Sequence, residues 1–334
     1  MLTEIYVISG FLGAGKTTLI QKLLGETSPK EKIVLIENDF GEISVDAALL
    51  GSGSVEVKEI NSGCICCSLS GDFIKALKEV LDRFHPDKIV IEPSGVGKLS
   101  DIVKSCSDIR IQPFARIKSK ITVVDVKRCK MYLDNFGEFF EDQIKSADII
   151  ILSHTEDFPD KVDAAQKLIN GLNSHSIIVS SPWHQINVTE LIYSSNNFAR
   201  ITNRYSHNNK PCHHSILTQK NHNGIHHHGN CSHDHHCNCA HNHSAENVFD
   251  TVTIRTKQIF SMEDLKTRAL AMERISKGTV LRAKGIVHST NGYINLQYLP
   301  GDIQITKCAA DGNMLCIIGQ NLNRQELCTL FNGE

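Results

Sequence analysis

Apolar and polar positions change rhythm along this chain and divide it into three stretches. Up to about residue 200, short runs that are apolar throughout alternate with runs of helical period. Segments 4–10 (EIYVISG), 32–39, 87–95, 119–126, 147–154 and 175–181 read as buried strands. Residues 16–25 and 71–84 read as helices between them, as do 139–147 and 161–172. In the second helix Phe73, Leu77, Val80, Leu81 and Phe84 fall on one face. Fully apolar strands separated by helices predict a mostly parallel sheet with helices on both faces.

The rhythm then stops. Residues 207–243 hold twelve histidines and four cysteines among Asn, Ser and Gly, with almost nothing that builds a core. This stretch reads as a disordered linker. Periodicity resumes at Val248. Strands are expected at 248–256, 278–289, 292–300, 302–308 and 314–320, and helices at 261–275 and 323–331. Ser261 and Asp264 form a near capping box for the first of these helices. The expected division is therefore 1–200, an α/β domain; 201–247, a His/Cys-rich linker; and 248–334, a small α+β domain.

Composition adds little beyond solubility. The chain has 334 residues, 22% charged and 41% hydrophobic, with a net charge of −2. Neither a nucleic-acid partner nor a membrane surface suits that balance. No apolar run of membrane-spanning length and no leader-like N-terminus is seen, so the expected location is the cytoplasm. Twelve cysteines in a reducing compartment point to metal rather than to disulfides. Cys106, Cys129, Cys308, Cys316 and Cys328 are scattered and read as small hydrophobes.

Two motifs carry chemistry. Residues 10–17, GFLGAGKT, fit G-x-x-x-x-G-K-[ST] after a strand and before a helix. Gly10, Gly13, Ala14, Gly15, Lys16, Thr17 and Thr18 are the expected nucleotide-binding residues. Backbone N–H groups point at the β-phosphate, Lys16 neutralises the β/γ oxygens, and the Thr17 hydroxyl ligates Mg²⁺. Asp39 and Glu42 are placed to serve the Mg²⁺ or the attacking water. Glu92 ends an apolar strand and is favoured over Asp125 for contact with Mg²⁺ through water. Gly95 offers its N–H to the γ-phosphate.

The second motif is Cys64-Ile65-Cys66-Cys67. Three thiols in four residues suit a soft or borderline ion. They form an incomplete set, which Glu37 or Glu42 can complete, and incomplete sites suit an ion that must leave again. His226, His227, His228, Cys231, His233, His235, His236, Cys237, Cys239, His241 and His243 show no finger spacing and read as a loose, multi-ion loading arm.

Together, GFLGAGKTTL, ENDFGE with SVD, NSGCICCS, VIEPSG and, near the C-terminus, VLRAKGIV resemble the CobW-type P-loop GTPases, relatives of UreG and HypB. The resemblance covers about residues 1–200 and 248–330. It implies a SIMIBI-type GTPase domain, a C-terminal CobW domain, GTP with Mg²⁺, and delivery of Zn²⁺ (or Co²⁺ or Ni²⁺) to a client metalloprotein. A nucleotide-dependent homodimer also occurs in related GTPases. The stretch aligned with the family's guanine-reading motif is Ser153-His154-Thr155-Glu156. There Glu156 stands for the usual Asp, and His154 for the usual Lys.

Two readings compete with delivery. A metal-storage or sensor protein would use nucleotide only structurally. A P-loop kinase would need an arginine-rich lid, which the sequence does not display. Lys16→Ala is expected to abolish nucleotide binding and turnover while the His-rich stretch still takes up zinc. Equilibrium dialysis checks this: if zinc uptake vanishes as well, the two sites are not separate.

Overall fold

The computed structural model describes residues 2–28, 31–37, 56–59, 70–193, 248–274 and 278–334, with 56–59 and Ser70 described in backbone only. The first unit is built on strands β1 (Thr3–Gly10), β2 (Ile33–Glu37), β3 (Glu56–Glu59), β4 (Lys88–Glu92), β5 (Ala115–Asp125), β6 (Ile149–Ser153) and β7 (Ile177–Val179). They form a sheet in the order β3-β2-β4-β1-β5-β6-β7, and every pairing in it is parallel. The predicted mostly parallel sheet is thus wholly parallel among the described residues.

Helices cover both faces. On one lie α1 (Lys16–Glu26) and α6 (Val188–Tyr193), which bury Leu19, Ile20, Leu23, Leu191 and Ile192. On the other lie α2 (Ser70–Phe84), α3 (Leu99–Cys106), α4 (Cys129–Lys145) and α5 (Pro159–Leu172). The predicted face of α2 is the buried one: Phe73, Leu77, Val80 and Leu81 are each under 5% exposed. Among the described residues no helix is long and apolar enough to cross a membrane.

The second unit has an antiparallel sheet, β11-β10-β9-β12-β8. Its strands are β8 (Asp250–Arg255), β9 (Thr279–Ser289), β10 (Gly292–Leu299), β11 (Asp302–Cys308) and β12 (Met314–Gln320). Helices α7 (Met262–Ala271) and α8 (Arg324–Leu330) cover one face. The Ser261 hydroxyl accepts from the Asp264 N–H at 3.0 Å, and Asn323 caps α8 in the same way. The first is half of the predicted capping box.

Side chains alternate across a strand, so the second sheet has two distinct faces. Ala283, Val287, Leu296, Leu315 and Ile317 join α7 and α8. Cys316 and Ile318 point the other way and, with Leu281, belong to the core of the first unit. Phe249 joins them: its ring lies 5.2 Å from Phe139, 5.6 Å from Phe136 and 6.4 Å from Phe11. The two units therefore share one hydrophobic layer. Phe249→Ala is expected to lower stability by about 3 kcal/mol or more, the usual cost of emptying a buried phenylalanine site. Denaturant unfolding monitored in both units checks it.

Candidate functional site

The phosphate loop runs from the C-terminal end of β1 into α1, between β4 and β5. In an open parallel sheet this is where ligands bind. Gly15 precedes α1 with φ 101°, a left-handed conformation open to glycine. The loop is anchored from beneath. Phe11 is 1% exposed and stacks on Phe136 at 5.4 Å, and the Tyr132 hydroxyl donates to the Leu12 carbonyl at 2.9 Å. Lys16 is buried, and its Nζ donates to the Gly10 carbonyl at 3.1 Å.

The Thr17 hydroxyl lies 3.1 Å and 3.3 Å from the two Glu92 carboxylate oxygens and donates to that group. Asp125 is otherwise engaged. It accepts from the Lys127 N–H and from Arg128, both at 2.7 Å, and this buried pair shapes the turn into α4. Of the two candidate carboxylates, Glu92 is the one at the Thr17 hydroxyl.

Gly95 lies hard against the phosphate loop: a Cβ there would sit 2.9 Å from the Leu12 nitrogen. The loop that carries it is tied down by Gln143, fully buried in α4, whose amide donates to the carbonyls of Gly95 (3.2 Å) and Gly97 (2.8 Å). Sequence reading missed this residue. A lone glutamine on the inner face of a helix was the available signal, and it had no partner until the fold supplied one.

Glu37 ends β2 directly beside Glu92, its register partner on β4, and is 5% exposed. On its other side stands Glu59, the last residue of β3. Strand neighbours of this kind are about 5 Å apart. So the end of the strand that leads toward Cys64, the end that leads toward Asp39, and the Thr17–Glu92 pair lie side by side. Asp39, Glu42, Cys64, Cys66, Cys67 and the whole set from His226 to His243 lie outside the described residues. Among the described residues, no group of three or more His, Cys, Asp or Glu is arranged to hold a metal ion.

At the other end, Ser153 and Thr155 are buried while His154 and Glu156 face outward. His154 adopts φ 57° and lines the cavity, and Glu156 pairs with His184 at 3.1 Å. Trp183 is the chain's single tryptophan. Its ring packs on Gly15, and its indole N–H donates to the Leu152 carbonyl at 2.7 Å. Its place just after the last parallel strand was the signal available in the sequence.

These groups enclose a cavity of about 350 Å³. Gly13, Lys16, Thr17, Thr18, Glu92 and His154 line it from the first unit, and Arg282, Gln297, Leu299, Asp302 and Gln304 from the second. Leu299 packs on Gly13, and Asp302 lies 3.8 Å from Arg128. The volume, the amide-rich loop, the buried lysine and the hydroxyl–carboxylate pair fit a nucleotide polyphosphate with a hard cation.

Burial pushes the thiols of Cys106 and Cys129 up to about 12, as inert core cysteines require. Lys284, 1% exposed on β9, is the reverse case. Burial lowers it from 10.5 to about 8, with Lys16 adding to the fall and the nearby Cys316 and Glu37 opposing it.

Residues 4–180 match the CobW/HypB/UreG nucleotide-binding domain, and residues 249–333 match the cobalamin synthesis protein cobW C-terminal domain. The zinc chaperone YeiR of Escherichia coli K12 is 33% identical over 155 residues, 46% of this chain and 47% of its own length. The zinc chaperone CobW of Sinorhizobium sp is 35% identical over 178 residues, 45% and 50% of the two lengths. The zinc chaperone YjiA of E. coli K12 is 30% identical over 224 residues, 65% and 68%. The chain thus spans about half the length of the first two relatives and two thirds of the third.

Lys284 yields a pH prediction. Between about pH 8 and 10.5 the unfolded chain holds more protons on this residue than the folded one, so folding stability rises with pH there. The rise is at most about 1.4 kcal/mol per pH unit. Lys284→Met should flatten it, as read from denaturant midpoints across that range.

Proposed function

The chain belongs to the family of CobW, HypB and UreG nucleotide-binding proteins, and from that premise we propose that it is a GTP-hydrolysing metallochaperone. Its cargo is Zn²⁺, or a similar ion such as Co²⁺ or Ni²⁺, handed in the cytoplasm to a client metalloprotein. In this reading residues 1–200 are the GTPase domain, 201–247 a metal-loading linker, and 248–334 the CobW domain. Zinc chaperones among its relatives support the choice of cargo.

The observation that carries the reading is the row Thr17, Glu92, Glu37. The Thr17 hydroxyl bonds Glu92, and Glu92 neighbours Glu37 across β2 and β4. GTP sits with its phosphates on residues 10–18 and its base near Ser153, His154, Glu156 and Trp183. Lys16 takes the β/γ charge. Thr17 and, through water, Glu92 hold Mg²⁺, which when bound neutralises phosphate oxygens. Gly95 donates its N–H to the γ-phosphate from a loop that Gln143 fixes to α4. Asp39 and Glu42, which follow Glu37 in the sequence, serve the Mg²⁺ or the attacking water.

Cys64, Cys66 and Cys67 hold the cargo ion with Glu37 or Glu42. Any shift of the β2 and β4 strand ends on loss of the γ-phosphate is felt by the carboxylate that completes this set. Coupling between the two ligands is then reciprocal. The storage reading lacks that coupling.

A zinc competition titration on the chain without residues 207–243 tests the proposal. A non-hydrolysable GTP analogue should tighten zinc binding about 5- to 150-fold relative to GDP, the span of a coupling of about 1–3 kcal/mol. Equal affinity in the empty, GDP and analogue states would leave metal storage as the better account.

A further inference from the structure

We propose that Arg282 is a catalytic residue for GTP hydrolysis, supplied in cis by the second domain to the phosphates held by the first. The inference rests on the GTPase reading above and goes beyond the residues of the nucleotide-binding domain.

Arg282 lies on β9, between Leu281 and Ala283. Ala283 points into the core beneath α7 and α8. Past a bulge at Leu281, Arg282 is the register partner of Ile318, which belongs to the core of the first unit, so Arg282 lies on the face seated on that unit. There it lines the same cavity as Lys16, Thr17 and Glu92. Its strand is held on both sides, since Leu281 packs in the shared core, Ala283 is fully buried and Lys284 is 1% exposed. A guanidinium on so rigid a base is pre-positioned, as electrostatic catalysis requires.

Charge accounting points the same way. Among the described residues the cavity wall carries two cations, Lys16 and Arg282, and two carboxylates, Glu92 and Asp302. Glu92 stands at Thr17, on the cation side of the site, and Asp302 faces the buried Arg128. Arg282 forms no ion pair among the described residues. A Mg²⁺-bound triphosphate retains negative charge that one lysine does not neutralise, and more gathers toward the leaving oxygen in the transition state. Among the described residues of the cavity wall, Arg282 is the remaining group of the right sign, with a fork suited to phosphate.

In the reaction the water oxygen bonds to the γ-phosphorus. The bond from that phosphorus to the β–γ bridging oxygen breaks, and its electron pair leaves on GDP. The proton lost by water ends on inorganic phosphate. Arg282 donates to the bridging and γ oxygens as charge builds there, without exchanging a proton. Turnover then depends on the second domain being seated, and so on the contacts of Phe249 and Leu299.

The full chain carrying Arg282→Gln is to be compared with wild type and with Arg282→Lys. Three readouts apply: GTP turnover with Mg²⁺, GDP affinity, and capture of GDP with aluminium fluoride, which imitates the transferring phosphoryl group. For Arg282→Gln, kcat is expected to fall about 10²-fold or more, GDP affinity to stay at the wild-type value, and aluminium fluoride capture to be lost. Arg282→Lys keeps the charge without the fork and should recover part of the rate. If the glutamine variant fails to fold, the lysine variant alone decides, with a reduced kcat and weakened capture expected.

Wild-type turnover and capture in a folded variant overturn the proposal. Loss of GDP binding in step with turnover also overturns it, because the arginine would then hold nucleotide rather than stabilise its transition state. An absence of GTP turnover in the wild-type chain would instead strike the GTPase reading itself, and this inference falls with it.

Discussion

A hydrogen bond from the Thr17 hydroxyl to the carboxylate of Glu92 joins the first turn of α1 to the end of β4, 75 residues on. In the proposed reading this is where Mg²⁺ meets the phosphate loop, and it lies one strand away from Glu37. The central strands are apolar along their length and buried on both faces, so they slide against one another only at the cost of the core. Lys16, Thr17, Glu92 and Gly95 lie at or just beyond the C-terminal ends of β1 and β4. A small rearrangement at one strand end has little room to stay local.

The second constraint is the shared hydrophobic layer. Cys316, Ile318, Leu281 and Phe249 come from beyond the His-rich stretch, yet they pack with the aromatic cluster that supports Phe11. The phosphate loop therefore rests on a platform built by both units. The polar face of the second sheet closes the cavity above it, through Arg282, Gln297, Asp302 and Gln304. Arg128 binds Asp125 within its own unit and approaches Asp302 of the other. What looks in sequence like a small appended domain is, in space, one wall of the nucleotide site.

Most elements were legible because burial period and strand length left little choice. The segments at 302–308 and 314–320 match their strands to the residue. The exceptions have local causes. The strand Glu56–Glu59 reads EVKE, and its polar alternation carries no sign of burial at a parallel sheet edge. Helix α4 begins ten residues before the expected start, because Asn135-Phe136-Gly137 interrupts its pattern. The chain there does depart from helical geometry, with Phe136 at φ −136° and ψ 33°, but tertiary packing of Tyr132 and Phe136 carries the helix across the kink. Helix α3, Leu99–Cys106, was missed for its brevity.

The candidate site divides along the same line. A contiguous motif states its own chemistry, because backbone geometry holds neighbouring residues within reach of one ligand. Residues 10–17 read as a phosphate loop without a fold, and the reading of Cys64–Cys67 as thiolate ligands rests on their spacing alone. The preference for Glu92 over Asp125 was already legible in sequence, and the fold adds its physical reason: Glu92 meets the Thr17 hydroxyl while Asp125 is drawn into a buried pair with Arg128. Gln143 and Trp183 gave only faint signals, and Arg282, though within the quoted VLRAKGIV stretch, had no role in view until the second sheet brought it to the cavity. The sequence by itself determined which groups this protein can offer to phosphate and metal. Strand order and the docking of the second sheet decided which of them meet, because contacts across a hundred or more residues are chosen by the packing of whole apolar faces and not by local spacing.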